Sequence, residues 1–332
     1  MSWLKGLSIV CLLLGSLSSQ VAADRKKDEP ATPLDKARRL ATDKKYSEAL
    51  GIYKTLLGEL DADELEVDGV NHIHIYREMA RTLAKGYQQV HVYLRERMAR
   101  AEKNMLAWEN GERSVAELTG LQRALGLEEY LVDLYDRVKA EKADHPALEK
   151  IEPHLFEGLL KRKRYQDIHN IQNITERIEE AMDEVGFRPR YEDLYPITDL
   201  YQVLCGLERK EEAAALVEQV LEMEDSAETY NNLARAGYMS GKTTWETLEL
   251  AREAHKRSEG RKIQILDTLA RCLIALGHNR EAMSILEKGR KKFYRKGDLM
   301  LIDRILGEVK PKISKKKVKE KPKKRRSIES QF

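Results

Sequence analysis

The sequence predicts an all-α fold made of stacked antiparallel helical hairpins. Three observations carry this. Charged residues make up 35% of the chain and aromatic residues 6%, with few Gly and Pro, a composition suited to long amphipathic helices. Apolar residues recur at spacings of three and four along most of the length, which is the period of one helix face. Ala213, Thr247 and Ala282 occupy one place early in the second helix of three successive hairpins, in steps of 247 − 213 = 34 and 282 − 247 = 35 residues. A hairpin of that length cannot bury its apolar face alone, so several must stack to share a core. With 42% apolar residues the chain as a whole can form one.

The N-terminus reads as a secretory signal over residues 1–23. Lys5 supplies the charged region, Gly6 to Leu17 the apolar run, and Val21-Ala22-Ala23 the small residues before cleavage at Asp24. The run is shorter than the roughly 20 residues of a spanning helix, which favours export to the periplasm or the cell exterior over anchoring. Cleavage would leave Cys205 and Cys272, too few for a disulfide scaffold. They fall on first helices with one hairpin between them, so both are expected to be free.

Residues 24–32 form a charged linker, and residues 33–190 a helical region with one clear hairpin. In that hairpin Leu34, Ala37, Leu40 and Ala41 precede a break at Asp43-Lys44-Lys45, and Tyr46, Ala49, Leu50, Tyr53, Leu56 and Leu57 follow it. Between 68 and 190 the periodicity persists but loses its register. His72 to Trp108 fits one long helix or a pair, and Tyr165, Ile168 and Ile171 fit a degenerate hairpin. Gly186-Phe187-Arg188-Pro189 is the loop before a C-terminal block over 191–309. From Pro311 the apolar pattern stops, and residues 310–332 read as a disordered tail.

The late hairpins resemble the tetratricopeptide repeat. Leu266-Asp267-Thr268-Leu269-Ala270, then Leu276-Gly277, then Glu281-Ala282 are similar to its core, as are Tyr230-Asn231-Asn232-Leu233-Ala234 and Lys45-Tyr46-Ser47-Glu48-Ala49-Leu50. The resemblance covers about 194–296 and 33–60. It departs at Thr247, where a smaller residue is usual, and at one extra residue near Trp245. It implies a right-handed superhelical stack whose first helices line a concave groove. Counted from Ala227, the groove positions are Asn231, Arg235 and Tyr238; counted from Ile263, they are Asp267, Arg271 and Ile274. Paired guanidiniums there suit an acidic peptide or a C-terminal carboxylate, unless local acids such as Asp267 or Glu228 claim them.

Motifs for chemistry are weak. Ala236-Gly237-Tyr238-Met239-Ser240-Gly241-Lys242-Thr243 nearly fits a phosphate loop, but no strand precedes it. His72 and His74 would point about 200° apart on a helix and cannot share a metal there; on a strand they could, but the surroundings are helical and no third ligand is close by. No carboxylate pair or thiol has an evident partner for acid–base or nucleophilic work. The expectation is a non-catalytic scaffold for other proteins, without cofactor, metal or small-molecule substrate.

Charge divides the chain. Residues 310–332 hold 11 Lys/Arg and two Glu, or +9, so the rest carries 3 − 9 = −6. The alternative function is an adaptor whose tail docks an anionic polymer, nucleic acid or membrane surface through Lys315, Lys316, Lys317, Lys323, Lys324, Arg325 and Arg326. The tail has no interleaved aromatics for base stacking.

Overall fold

A chain of good helix formers with few breakers gives helices almost throughout. The computed structural model describes residues 32–61, 72–82, 87–108, 111–186 and 189–319; these hold 17 α-helices, one short 3-10 turn and no strand. The signal segment, the linker up to residue 31 and residues 320–332 lie outside the described residues. The chain divides into two compact units, Met1–His154 and Leu155–Phe332.

The first unit contains α1 (Pro33–Thr42), α2 (Tyr46–Asp61), α3 (His72–Thr82), α4 (Gln88–Leu106), α5 (Gly111–Leu125), α6 (Glu128–Glu141) and α7 (Ala147–Ile151), then the 3-10 turn at Glu152–His154. The Thr32 side chain caps α1 by accepting the Asp35 N–H at 3.2 Å, and Pro33, with no N–H to satisfy, takes the first turn. The hairpin read in the sequence is present: α1 packs on α2, and Leu34, Ala37 and Ala41 share one buried cluster with Ala49, Leu50, Tyr53 and Leu57. Residues 72–108 form a pair of helices, α3 and α4, both packed against α5.

The second unit contains α8 (Phe156–Lys161), α9 (Tyr165–Ile171), α10 (Ile174–Val185), α11 (Tyr195–Gly206), α12 (Lys210–Met223), α13 (Ala227–Met239), α14 (Trp245–Arg257), α15 (Ile263–Ala275), α16 (Asn279–Lys292) and α17 (Lys296–Lys319). Its start lies upstream of the Gly186–Pro189 loop that the sequence marks as the boundary. The reason is packing: α9 and α10 both lie against α11, so they belong with the C-terminal helices. From α11 onward each first helix touches its own hairpin partner and the next first helix, giving the contacts α11–α13, α13–α15 and α15–α17.

One turn recurs in both units. Lys44, Lys163, Glu208, Gly241 and Gly277 each sit two residues beyond a first helix with φ of 61°, 56°, 60°, 81° and 81°. In four of the five, the next N–H reaches back to a leucine carbonyl: Lys45 to Leu40 (2.8 Å), Arg164 to Leu159 (2.9 Å), Arg209 to Leu204 (3.0 Å) and His278 to Leu273 (2.8 Å). This closure satisfies the orphan carbonyls at a helix end and requires a left-handed residue. Five residues after that residue comes a buried one: Ala49, Ile168, Ala213 or Ala282. The fifth hairpin shifts by one, and its Thr247 faces Gly237, where an added Cβ would come within 2.7 Å of the Thr247 hydroxyl. Glycine tolerates the left-handed conformation and lysine is strained in it. Lys44→Gly is therefore expected to gain about 0.5–1 kcal/mol after its extra unfolded-state entropy, and Gly277→Ala to lose about 1 kcal/mol. Urea unfolding checks both; a destabilised Lys44→Gly variant would contradict the strain argument.

α17 runs through Pro311 to Lys319, into the stretch over 310–332 read from the sequence as a tail. Ile302, Ile305, Leu306 and Val309 bury an apolar stripe against Leu266, Ala270 and Leu286, and Ile313 continues that spacing in the sequence. The lysines that follow are good helix formers, and packing upstream offsets the carbonyl left without a donor by the proline.

Candidate protein-binding face

The first helices α11, α13 and α15 carry the positions expected to line a groove. Each is fixed by its ends. Ser226 caps α13 by accepting the Thr229 N–H at 3.3 Å, and Glu208 and Gly277 close the turns after α11 and α15. Leu200, Leu204, Leu233, Ala234, Leu269, Ala270 and Leu273 on these helices are buried and form part of their packed side.

The two arginines at matching register differ in their surroundings. On α15, the Arg271 Nε donates to Asp267 Oδ1 at 2.8 Å, and Tyr238 on α13 lies near the same guanidinium. Burial lowers the Arg271 pKa, but Tyr238 and Asp267 outweigh it and hold the group above its ordinary value. Tyr238, Asp267 and Arg271 thus form one cluster spanning two helices. Arg235 is exposed and makes no ion pair or hydrogen bond among the described residues. Asn231 is only 8% exposed and its Oδ1 has no hydrogen-bond partner. Ile274 is half-buried against the cluster of Leu266, Ala270 and Leu286, so it serves the core.

Asp199, near Arg235, and Glu157, near Asp199, were not singled out from the sequence. Burial pushes the Asp199 carboxyl up to about 6, Glu157 on α8 adds to the push, and Arg235 opposes it. The signal was present: Asp199 is the one charged residue in α11, set between Thr198 and Leu200. In an unfolded chain an aspartate ionises near 3.9. Asp199 therefore stabilises the fold while protonated, and that contribution is lost as pH rises from about 4 through about 6. Asp199→Asn is expected to be more stable than the parent by about 1–2 kcal/mol at pH 7.5, after allowance for partial solvent screening, and equal to it near pH 4. Thermal melts at the two pH values decide this; the same difference at both would exclude the titration.

Neither thiol is set up as a nucleophile. Cys272 is buried, Cys205 is half-buried, and both are free. Burial pushes the Cys205 thiol up to about 11, with a Tyr201 hydrogen bond partly opposing, and pushes Cys272 up to about 12. The segment 236–243 is the end of α13 and its turn, and Lys242 pairs with Glu208. His74 contacts Arg38 at 3.3 Å, whereas the His72 side chain is outside the described residues. Lys315, Lys316 and Lys317 are on α17, with side chains outside the described set, and Lys323 to Arg326 lie beyond it. No described helix is long and apolar enough to cross a membrane. Comparison with protein-family models and with curated proteins gives no match for this chain. What the face can bind therefore follows from its own side chains.

Proposed function

We propose that this protein is an exported, non-catalytic scaffold of tetratricopeptide-like hairpins that binds an acidic peptide or a free C-terminal carboxylate on the α11–α13–α15 face. The carrying observation is Arg235, an exposed guanidinium without an ion-pair partner, beside a cluster in which Tyr238 and Asp267 already orient a second guanidinium, Arg271. A ligand carboxylate meeting Arg235 forms charge-assisted hydrogen bonds without first breaking a salt bridge. Within the second unit, the contacts between successive first helices from α11 to α17 support a stack of hairpins. Export rests on Lys5, the run Gly6 to Leu17 and Val21-Ala22-Ala23 in that order.

The test is a titration of acidic peptides, each as free acid and as C-terminal amide, against the full chain and its variants. Arg235→Ala should weaken the binding peptides about 10- to 150-fold, the loss of a hydrogen bond to a charged group. Folding should be unaffected, since exposed charges rarely contribute more than about 1 kcal/mol. Equal binding by parent and Arg235→Ala would reject this face. The adaptor reading is favoured instead by the +9 carried over residues 310–332. It predicts binding to anionic surfaces that falls steeply with salt and is lost when the chain is cut after Val309.

A further inference from the structure

The connection from α14 to α15 and that from α16 to α17 face one cleft of about 470 Å³. Its walls carry Arg261, Lys262, Lys292 and Arg295 against a single acid, Asp298, so the lining charge is 4 − 1 = +3. Arg261 pairs with Glu259 and Lys262 with Glu228, which offsets part of it. Lys292 and Arg295 have no ion pair or hydrogen bond among the described residues.

The placement of these cations is unfavourable for the fold by itself. A helix N-terminus is the positive end of the macrodipole and favours acids. α15 starts at Ile263 immediately after Arg261 and Lys262, and its N-cap residue Lys262 makes no side-chain cap. α17 starts at Lys296, immediately after Arg295. Two helix starts with basic residues thus border one cavity; α17 has Asp298 in its first turn, whereas α15 has no acid there, a setting that an oxyanion would neutralise. Arg290 on the same stretch is already occupied by Asp303, at 3.2 Å, and Lys291 and Lys292 suit the C-terminus of α16; neither explanation reaches Arg295.

An aromatic ring stands at the same site. The segment from Lys288 to Lys296 holds six cations and no acid, interrupted by Phe293 and Tyr294. Phe293 packs on the cluster of Leu266, Leu286 and Ile302, and its neighbour Tyr294 is 87% exposed at the cleft. A simple anion has no use for an exposed ring, whereas a nucleotide uses both parts: phosphate on cations, base against the ring. We propose that this cleft seats single-stranded nucleic acid, with a phosphate held by Lys292, Arg295 and Arg261 and a base stacked on Tyr294. This is a site separate from the peptide-binding face, and it does not need residues 320–332.

Fluorescence anisotropy of a labelled oligothymidylate of about 12 nucleotides, titrated with the full chain, tests this. Tyr294→Ala should weaken binding roughly 5- to 150-fold, while Tyr294→Phe keeps parental affinity. An abasic strand of equal length should bind the parent as weakly as the thymidylate binds Tyr294→Ala. Lys292→Ala/Arg295→Ala should lower the slope of log K against log salt by about 1.4. Thymidine monophosphate as competitor distinguishes a free nucleotide from a strand: displacement at equal nucleotide concentration would replace the strand by a mononucleotide and overturn the proposal. It is also overturned if the abasic strand binds as tightly as the thymidylate, or if truncation after Lys319 abolishes binding while the cleft variants behave like the parent.

Discussion

Glu117→Ala should destabilise the first unit by about 3 kcal/mol, the largest single effect expected from a polar residue in this chain. Three helices meet at this carboxylate. Tyr76 on α3 donates its hydroxyl to Glu117 Oε1 at 2.8 Å, and Arg97 on α4 donates Nε to the same oxygen at 2.6 Å, while Glu117 itself is on α5. Tyr76 is fully buried and Arg97 only 8% exposed, with its guanidinium 5.8 Å from the centre of the Tyr76 ring. Removing the carboxylate takes a charged acceptor from an arginine that water scarcely reaches, and desolvation of that cation then weighs against the fold. Glu117→Gln keeps an acceptor and should cost about half as much. The pair as a whole is a weaker asset than either half suggests. Arg97→Met combined with Glu117→Leu should recover most of the loss, because apolar groups of similar volume need no compensation. Equilibrium urea unfolding of the three variants measures this. A loss of less than about 0.5 kcal/mol for Glu117→Ala would place the pair with ordinary surface substitutions.

The hairpins visible in the sequence are those whose turns are written in glycine or whose helices are long. Gly277 announces its turn, and the Leu266 to Ala282 stretch around it reads directly. Lys163 adopts the same left-handed turn without a residue type that predicts it, so the α8–α9 hairpin is hard to find. The helices there are also short, Phe156–Lys161 and Tyr165–Ile171, less than two turns each, too few for a periodic signal. Pro311 lies within α17, behind the buried stripe Ile302 to Val309. On the candidate face, the register of Arg235 and Arg271 was legible from the repeat length, and the Asp267–Arg271 pair from its spacing of four. The difference between the two arginines was not, since it depends on Tyr238 and Asp199 on neighbouring helices. The basic cleft was hidden for a similar reason: its cations come from two connections some 30 residues apart, and the folded turns bring them together.

The other large effect is expected at Gly206, where a single methyl group tests how the short α8–α9 hairpin is held. Gly206 ends α11, and Tyr165 begins α9. A Cβ at Gly206 would lie 2.1 Å from Cδ2 of the Tyr165 ring, well inside van der Waals contact. The ring has little room to yield: Tyr165 is 7% exposed, and its hydroxyl accepts a hydrogen bond from Gln202 at 3.3 Å, one turn earlier on α11. In an open helix, Gly→Ala gains about 1 kcal/mol of propensity. Here the overpacking should exceed that gain, leaving Gly206→Ala about 1–2 kcal/mol less stable than the parent. The cause can be isolated by a double-mutant cycle. In a Tyr165→Leu background the obstructing ring edge is gone, so Gly206→Ala should become neutral or stabilising, and the coupling between the sites should be about 1–3 kcal/mol. A parent-background Gly206→Ala that melts higher than the parent would mean that the ring does not lie across the α11 backbone.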